Sequence, residues 1–383
     1  MNTIPLTPVD YIFTGPGSQP ITFAFEFPGK IETELLKNSL FETLKVFPPI
    51  SSKLANTGDN EYAYQECEDG IEFDIAKYEI SLSDTYNLHE FITPVQSMVG
   101  QPLTNIRITQ SSVKTILCVS ISHALVDGFS YFHFLSTWAR IARGEKFLPP
   151  VLTRDLVRGD GNNISKEINP EFFAESTGVY IGPERYDVDQ RTMQKDHLLL
   201  SKEEIQDLLQ EAFQPDRPKL TANDVISAYL WKRYATKWFS DGEVFISCPF
   251  DFRGILPDVP RTYFGCAILC ASTAIDVNSL KSADIAEVAT MIRNAINGMN
   301  PEKLALGLDV MESLRLTQGI QALERVHVRH PSKGLIVTNL SRMPLRDVDF
   351  GIGPPVKFMA YSDVNHGAAI LPAIDGVEVM IYE

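Results

Sequence analysis

The sequence has no C-x-x-C pair. Its five cysteines, Cys67, Cys118, Cys248, Cys266 and Cys270, are scattered and odd in number. That pattern argues against a disulfide framework and against a structural zinc site, and it suits a reduced, intracellular chain; no metal ligands are expected. Long basic runs are absent too, as is any interleaving of aromatic with basic residues. With 34 Lys and Arg against 49 Asp and Glu the formal charge is −15, which argues against nucleic acid as the main partner. An acidic surface can still hold a local basic site for a phosphate-bearing cofactor. No apolar run approaches the ~18 residues a membrane helix needs. Met1-Asn2-Thr3-Ile4-Pro5 lacks the charged and apolar regions of a signal peptide. The expectation is a cytoplasmic protein that neither spans nor binds a membrane.

What is present begins with size. At 383 residues, 44% hydrophobic and 10% aromatic, the chain can bury sizeable cores and is long enough for two domains. Its central feature is the turn Ser122-His123-Ala124-Leu125-Val126-Asp127-Gly128. Residues 113–121, just before it, are β-branched and apolar and read as a buried strand. Residues 130–142, just after it, carry Phe134, Leu135, Trp138 and Ile141 at helical spacing. His123 is therefore expected where a strand ends and the chain turns towards a helix, a rigid mount and a common edge for a cleft. A neutral imidazole is the side chain best matched to accepting a proton near pH 7. Asp127 can fix the turn and the ring directly, or anchor the turn to an arginine elsewhere. Gly128 can supply a left-handed backbone where the turn needs one. No G-x-S-x-G elbow and no reactive cysteine motif lies nearby, which argues against a covalent acyl-enzyme. The plain alternative is a buried histidine beside a helix-capping aspartate.

Along the chain, strands and helices alternate in both halves. Residues 21–27 alternate apolar and polar, the mark of a half-buried strand. Leu36, Leu40 and Leu44 then form a helix face, ended by Pro48-Pro49. Short strands are expected at 62–67, 71–78 and 105–109. From 143 to about 196 the periodicity dissolves among glycine, proline and asparagine, and this stretch reads as a crossover between two domains. Further on, Ser201 with Glu204 makes a capping box. Thr221 with Asp224 starts a second helix, and Ile285, Val288, Ile292 and Ile296 mark a third. Strands are expected at 197–200, 244–248, 334–338, 356–360, 368–371 and 377–381. The mixture suggests two α/β layers sharing a cleft.

These residues resemble the signatures of the BAHD acyltransferases, CoA-dependent enzymes related in fold to chloramphenicol acetyltransferase. The family's central H-x-x-x-D-G is matched by His123, Asp127 and Gly128, and its C-terminal D-F-G-W-G by Asp349-Phe350-Gly351-Ile352-Gly353. Leu6-Thr7-Pro8-Val9-Asp10 resembles the family's opening. Residues 221–231 resemble its S/T-x-x-x-x-L-x-A-x-x-W helix. Asp251-Phe252-Arg253 with Tyr263-Phe264-Gly265 resembles its N/D-x-R and Y-F-G-N segment, and Val337-Thr338-Asn339-Leu340 stands in the place of its T-S-W stretch. The resemblance covers nearly the whole chain. It departs from the family in a shorter length, in Ile352 and Leu340 where the family has tryptophan, and in Cys266 where the family has asparagine. Leucine cannot donate the hydrogen bond that the lost indole would give near the reacting carbonyl, so oxyanion stabilisation must come partly from elsewhere.

The resemblance implies an α/β fold with mixed sheets and two chloramphenicol acetyltransferase-like domains, 1–188 with H-x-x-x-D-G and 189–383 with D-F-G-x-G, around an inter-domain active-site channel. It implies acyl transfer from acyl-CoA, a co-substrate rather than a resident cofactor, to a hydroxyl or amine of a small molecule, by a monomer. His123 would be the general base in a ternary complex. Asp127 would point away from the substrate and pair with Arg253, and Thr338 could contact the oxyanion or the acceptor. Asp349, Gly351 and Gly353 would be structural. Arg217 and Lys219, beside the helix that begins near Thr221, suit a CoA phosphate. Two other readings stay open. A condensation domain of peptide synthesis shares the fold, although the first of the two histidines in its H-H-x-x-x-D-G motif is Ser122 here. A catalytically silent binding protein would account for the missing indole.

Overall fold

The computed structural model describes residues 3–77, 87–164, 166–185, 195–361 and 364–383. Its organising strand is Thr115–Ser122, all eight of whose side chains are buried. Burial on both faces requires cover on both faces and pairing on both edges. The strand accordingly sits in the middle of a five-stranded sheet, in the order Lys357–Tyr361, Pro20–Phe27, Thr115–Ser122, Thr104–Gln110, Ile71–Lys77. Pairing is antiparallel except between the last two. The register sets Pro20 opposite Ser122 and Phe27 opposite Thr115. Helix Gly128–Ala142 follows the turn and packs on helix Thr33–Val46. There Trp138 donates its indole N–H to Ser39 Oγ at 3.0 Å.

A second, six-stranded sheet runs in the order Ile268–Asp276, Glu243–Asp251, Gly334–Asn339, Gly367–Pro372, Val377–Tyr382, Lys195–Leu200. Helices Ala222–Leu230 and Ile285–Asn297 cover it, burying Val225, Ile226, Val288 and Ile292 against Val244, Val337 and Ile370. The first starts on the carboxylate expected of it, Asp224 accepting from the Thr221 amide at 2.7 Å; the second starts on Asp284, which accepts from the Glu287 amide at 2.7 Å.

The two halves are not separate along the chain. Lys357–Tyr361, from the segment expected to form the second domain, pairs along Pro20–Phe27 and completes the first sheet. Helix Pro301–Gln318 packs into the same core as Tyr131 and Trp138. The expected boundary at 188/189 lies outside the described residues.

The stretch from 143 is more ordered than its composition suggests. Helix Pro170–Thr177 has Asn169 capping the Phe172 amide at 2.8 Å, proline in its first turn, and Gly178 in the left-handed region at its end (φ 74°). Those are ordinary start and stop signals, obscured by the surrounding loops. Gly128 also differs from expectation. It is the first helical residue after the extended N-cap Asp127, not a left-handed turn residue. A Cβ there would make ordinary contact with Leu340 Cδ2, at 3.4 Å. Among the described residues no helix is long and apolar enough to cross a membrane, and no three metal-ligating side chains cluster.

Candidate active site

A cavity of about 610 Å³ is bounded by both sheets. Phe13, Phe23, His123 and Phe132 line it from the first half, and Ile226, Cys248 and Thr338 from the second. His123 is half-buried at its wall. Phe13 stacks on one face of the ring, with centroids 3.9 Å apart and planes 11° apart. Cys266 Sγ lies 3.9 Å from Nδ1. Burial pushes the imidazole below its ordinary value, outweighing the opposing influence of its own carbonyl and of Asp127. The ring is thus held neutral at physiological pH, the form that can accept a proton.

The turn beneath His123 is held by its backbone. Tyr64 Oη donates to the Ala124 carbonyl at 2.5 Å and Arg154 Nη2 to the Leu125 carbonyl at 3.0 Å. Arg154 is in turn paired with the wholly buried Asp10, 3.2 Å away. Ser122, the residue that precedes the histidine, shares a 2.5 Å hydrogen bond with Ser97 Oγ. Arg154 and Tyr64 have no local signal in the sequence, since each reaches the turn only through the tertiary fold. Asp10 at least stands in the opening stretch that the resemblance singles out.

Asp127 does not touch the imidazole. Its Oδ1 accepts from the Ser130 amide at 2.9 Å, capping the helix, and its Oδ2 accepts from the Ala267 amide at 2.9 Å and pairs with Arg253 Nη1 at 2.7 Å. Burial raises its pKa, but Arg253 and the two amides together outweigh this and hold the carboxyl below the usual range. Arg253 is equally enclosed. It donates to the carbonyls of Tyr263 (2.9 Å) and Gly265 (2.8 Å) and to Ser130 Oγ (3.0 Å), meets Asp251 at 3.0 Å, and lies over the Phe129 ring. This cage ties the start of the helix after the turn to the segment 251–267 of the other half.

The remaining expected residues fall into three places. Thr338 lines the cavity, and Leu340 lies over Gly128. The Asp349 loop is elsewhere. Its carboxylate accepts from the amides of Gly351 (2.8 Å) and Gly353 (2.9 Å). Phe350 inserts between Trp138 and Phe27, and none of residues 349–353 lines the cavity. Both glycines are left-handed, at φ 98° and 100°. Gly351→Ala is therefore expected to cost about 1–3 kcal/mol in urea unfolding while kcat is unchanged.

Arg217 and Lys219 do not line the cavity. Thr221 does, but the helix end behind it is already occupied. The buried Asp224 carboxylate takes the Thr221 amide and hydroxyl and pairs with Arg293. Among the described residues Arg342 lines the cavity, is exposed and has no acidic partner within 4 Å. It is the cation left available for a phosphate or carboxylate.

Residues 2–382 match the family described as "Transferase family". A hydroxycinnamoyltransferase of Narcissus pseudonarcissus is 27% identical, over 97% of this chain and 86% of its own length. The shikimate O-hydroxycinnamoyltransferase of Nicotiana tabacum is 24% identical, over 91% and 81%. In structure, the chain is similar to F. graminearum TRI101 complexed with coenzyme A and T-2 mycotoxin, with TM-score 0.79 and 14% identity over 100% of this chain and 95% of that one. Vinorine synthase is similar too, with TM-score 0.71 and 18% identity over 100% and 90%. The fold is the α/β arrangement of two chloramphenicol acetyltransferase-like domains, and with its sequence matched from end to end the chain belongs to the Transferase family, the BAHD acyltransferases.

Proposed function

We propose that the protein transfers an acyl group from acyl-CoA to a hydroxyl or amine of a small-molecule acceptor, in a ternary complex without an acyl-enzyme. The observation that carries this reading is His123, an imidazole held neutral at the wall of a cavity that both sheets line. Its ring takes the acceptor's proton as the acceptor oxygen or nitrogen bonds to the thioester carbonyl carbon. The tetrahedral intermediate collapses with cleavage of the carbon–sulfur bond, and the CoA sulfur leaves as a thiol with that proton. Base assistance contributes about 10²–10⁴ in rate, and holding both reactants in one cavity contributes more. Asp127 acts on the fold of the site through Arg253 and takes no proton. Phe13, Phe23 and Phe132 give the cavity an aromatic wall, which suits a flat acyl group of the kind named in the relatives. Arg342 is suited to an anionic part of either substrate.

The test is thiol release from hydroxycinnamoyl-CoA and acetyl-CoA with a panel of hydroxy and amino acids, each product weighed by mass spectrometry. Release that requires an acceptor supports the reading. Release without acceptor, leaving an acylated protein, overturns the ternary mechanism. The indole lost at Leu340 favours one rival, a silent binder. Thermal stabilisation by CoA with no turnover across the panel would select it.

A further inference from the structure

We propose that Gln19 is a catalytic residue, its carboxamide N–H group donating to the oxyanion that forms on the thioester carbonyl. The inference rests on the acyl-transfer reading and addresses the donor missing at Leu340. Acyl transfer moves negative charge onto the carbonyl oxygen, and a site that lacks one donor needs another aimed at the same place.

Gln19 lines the same cavity wall as the base. Strand Pro20–Phe27 sets Pro20 opposite Ser122, the last pair of that ladder. Gln19 and His123 are the residues next beyond that pair on the two chains, and both line the cavity. The two backbones are also tied to one residue. Ser97 donates its amide to Ser18 Oγ at 3.2 Å and shares its hydroxyl with Ser122 Oγ at 2.5 Å, while its carbonyl accepts the Gly15 amide at 3.0 Å. The residues preceding Gln19 and His123 are thereby held against each other before any substrate arrives.

Most other polar side chains of the cavity are committed. Thr22 is bonded to Ser120 at 2.7 Å, Asn339 to Asn223 at 2.8 Å, Ser341 to Asn339 at 2.6 Å, and Tyr382 to the Ala360 carbonyl at 3.3 Å. The Gln19 carboxamide is half-buried and has no hydrogen-bond partner among the described residues. A primary amide left unbonded at the wall of a largely apolar cavity is a donor kept for something that enters it.

The experiment compares wild type, Gln19→Ala, Gln19→Glu and His123→Ala under saturating acyl-CoA. Gln19→Ala is expected to lower kcat by about 10²–10³, with the KM values and the melting temperature little changed. Gln19→Glu keeps the shape but puts a carboxylate beside the ring, so the acid limb of its kcat/KM profile is expected to move to higher pH. Wild-type kcat in Gln19→Ala overturns the inference, as does a loss confined to the acceptor's KM or an unmoved acid limb in Gln19→Glu. If wild type turns over, His123→Ala does not and Gln19→Ala matches wild type, the inference falls alone. If wild type does not turn over, it falls together with the acyl-transfer reading.

Discussion

Changing His123 to alanine is expected to lower kcat by about 10²–10⁴, without unfolding the protein. The ring's contacts explain the second half of that statement. It stacks on Phe13 and approaches Cys266, but the turn itself is held by Tyr64, Arg154 and Ser97 through backbone atoms and the Ser122 hydroxyl. The pH dependence is a second readout. Because burial disfavours the protonated ring, the acid limb of kcat/KM should lie below the ~6.5 of an ordinary imidazole. The sign for stability follows. Below about pH 6.5 the unfolded chain binds a proton at this position that the folded chain resists, so the group costs stability as pH falls. The alanine variant should lose less stability than wild type between pH 7 and pH 5, measured by urea unfolding. An unchanged kcat in this variant would remove His123 from the chemistry.

Replacing Arg253 with methionine is expected to cost about 3–5 kcal/mol in urea unfolding and to depress kcat with it. The residue is 1% exposed, and its removal strips Asp127 of its counter-ion, leaves the Tyr263 carbonyl without its donor and takes one of two donors from the Gly265 carbonyl. Asp127→Ala should cost less, because Arg253 keeps Asp251 and three neutral acceptors. The ordering of the two variants is therefore the sharper test. Equal losses would mean that the pair acts only as a pair. The Asp127 carboxyl sits below its ordinary value, so its contribution is present above about pH 4 and fades as pH falls through the folded-state value. The gap between Asp127→Ala and wild type should close in acid.

The turn around His123 is legible because its signals are local: an apolar run, a histidine, a capping aspartate and a helical period, all within residues 113–142. The Asp127–Arg253 pair is not legible that way and is suggested only by resemblance. Arg154, Tyr64 and Gln19 escape notice for the same reason, since each acquires its place from strand register or a long-range hydrogen bond. Helix Pro301–Gln318 shows a different failure. It buries Leu304, Leu308, Val310, Met311 and Leu314 on several sides at once, with Glu312 and Arg315 paired to each other in the core. No single apolar stripe marks it. At Arg217 and Lys219, charge near a helix start reads as an anion site, whereas the pairing of the capping Asp224 with Arg293 is a tertiary contact with no local signal.

The strand Lys357–Tyr361 has a consequence for how the protein is made. It is the outer neighbour of Pro20–Phe27, which on its other side supports the strand leading into His123. A nascent chain therefore carries an open apolar strand edge from its first tens of residues until almost the whole polypeptide has been synthesised. The sheet that carries the strand leading into His123 is completed only by the last stretch of translation, and termination before Lys357 leaves that edge uncapped.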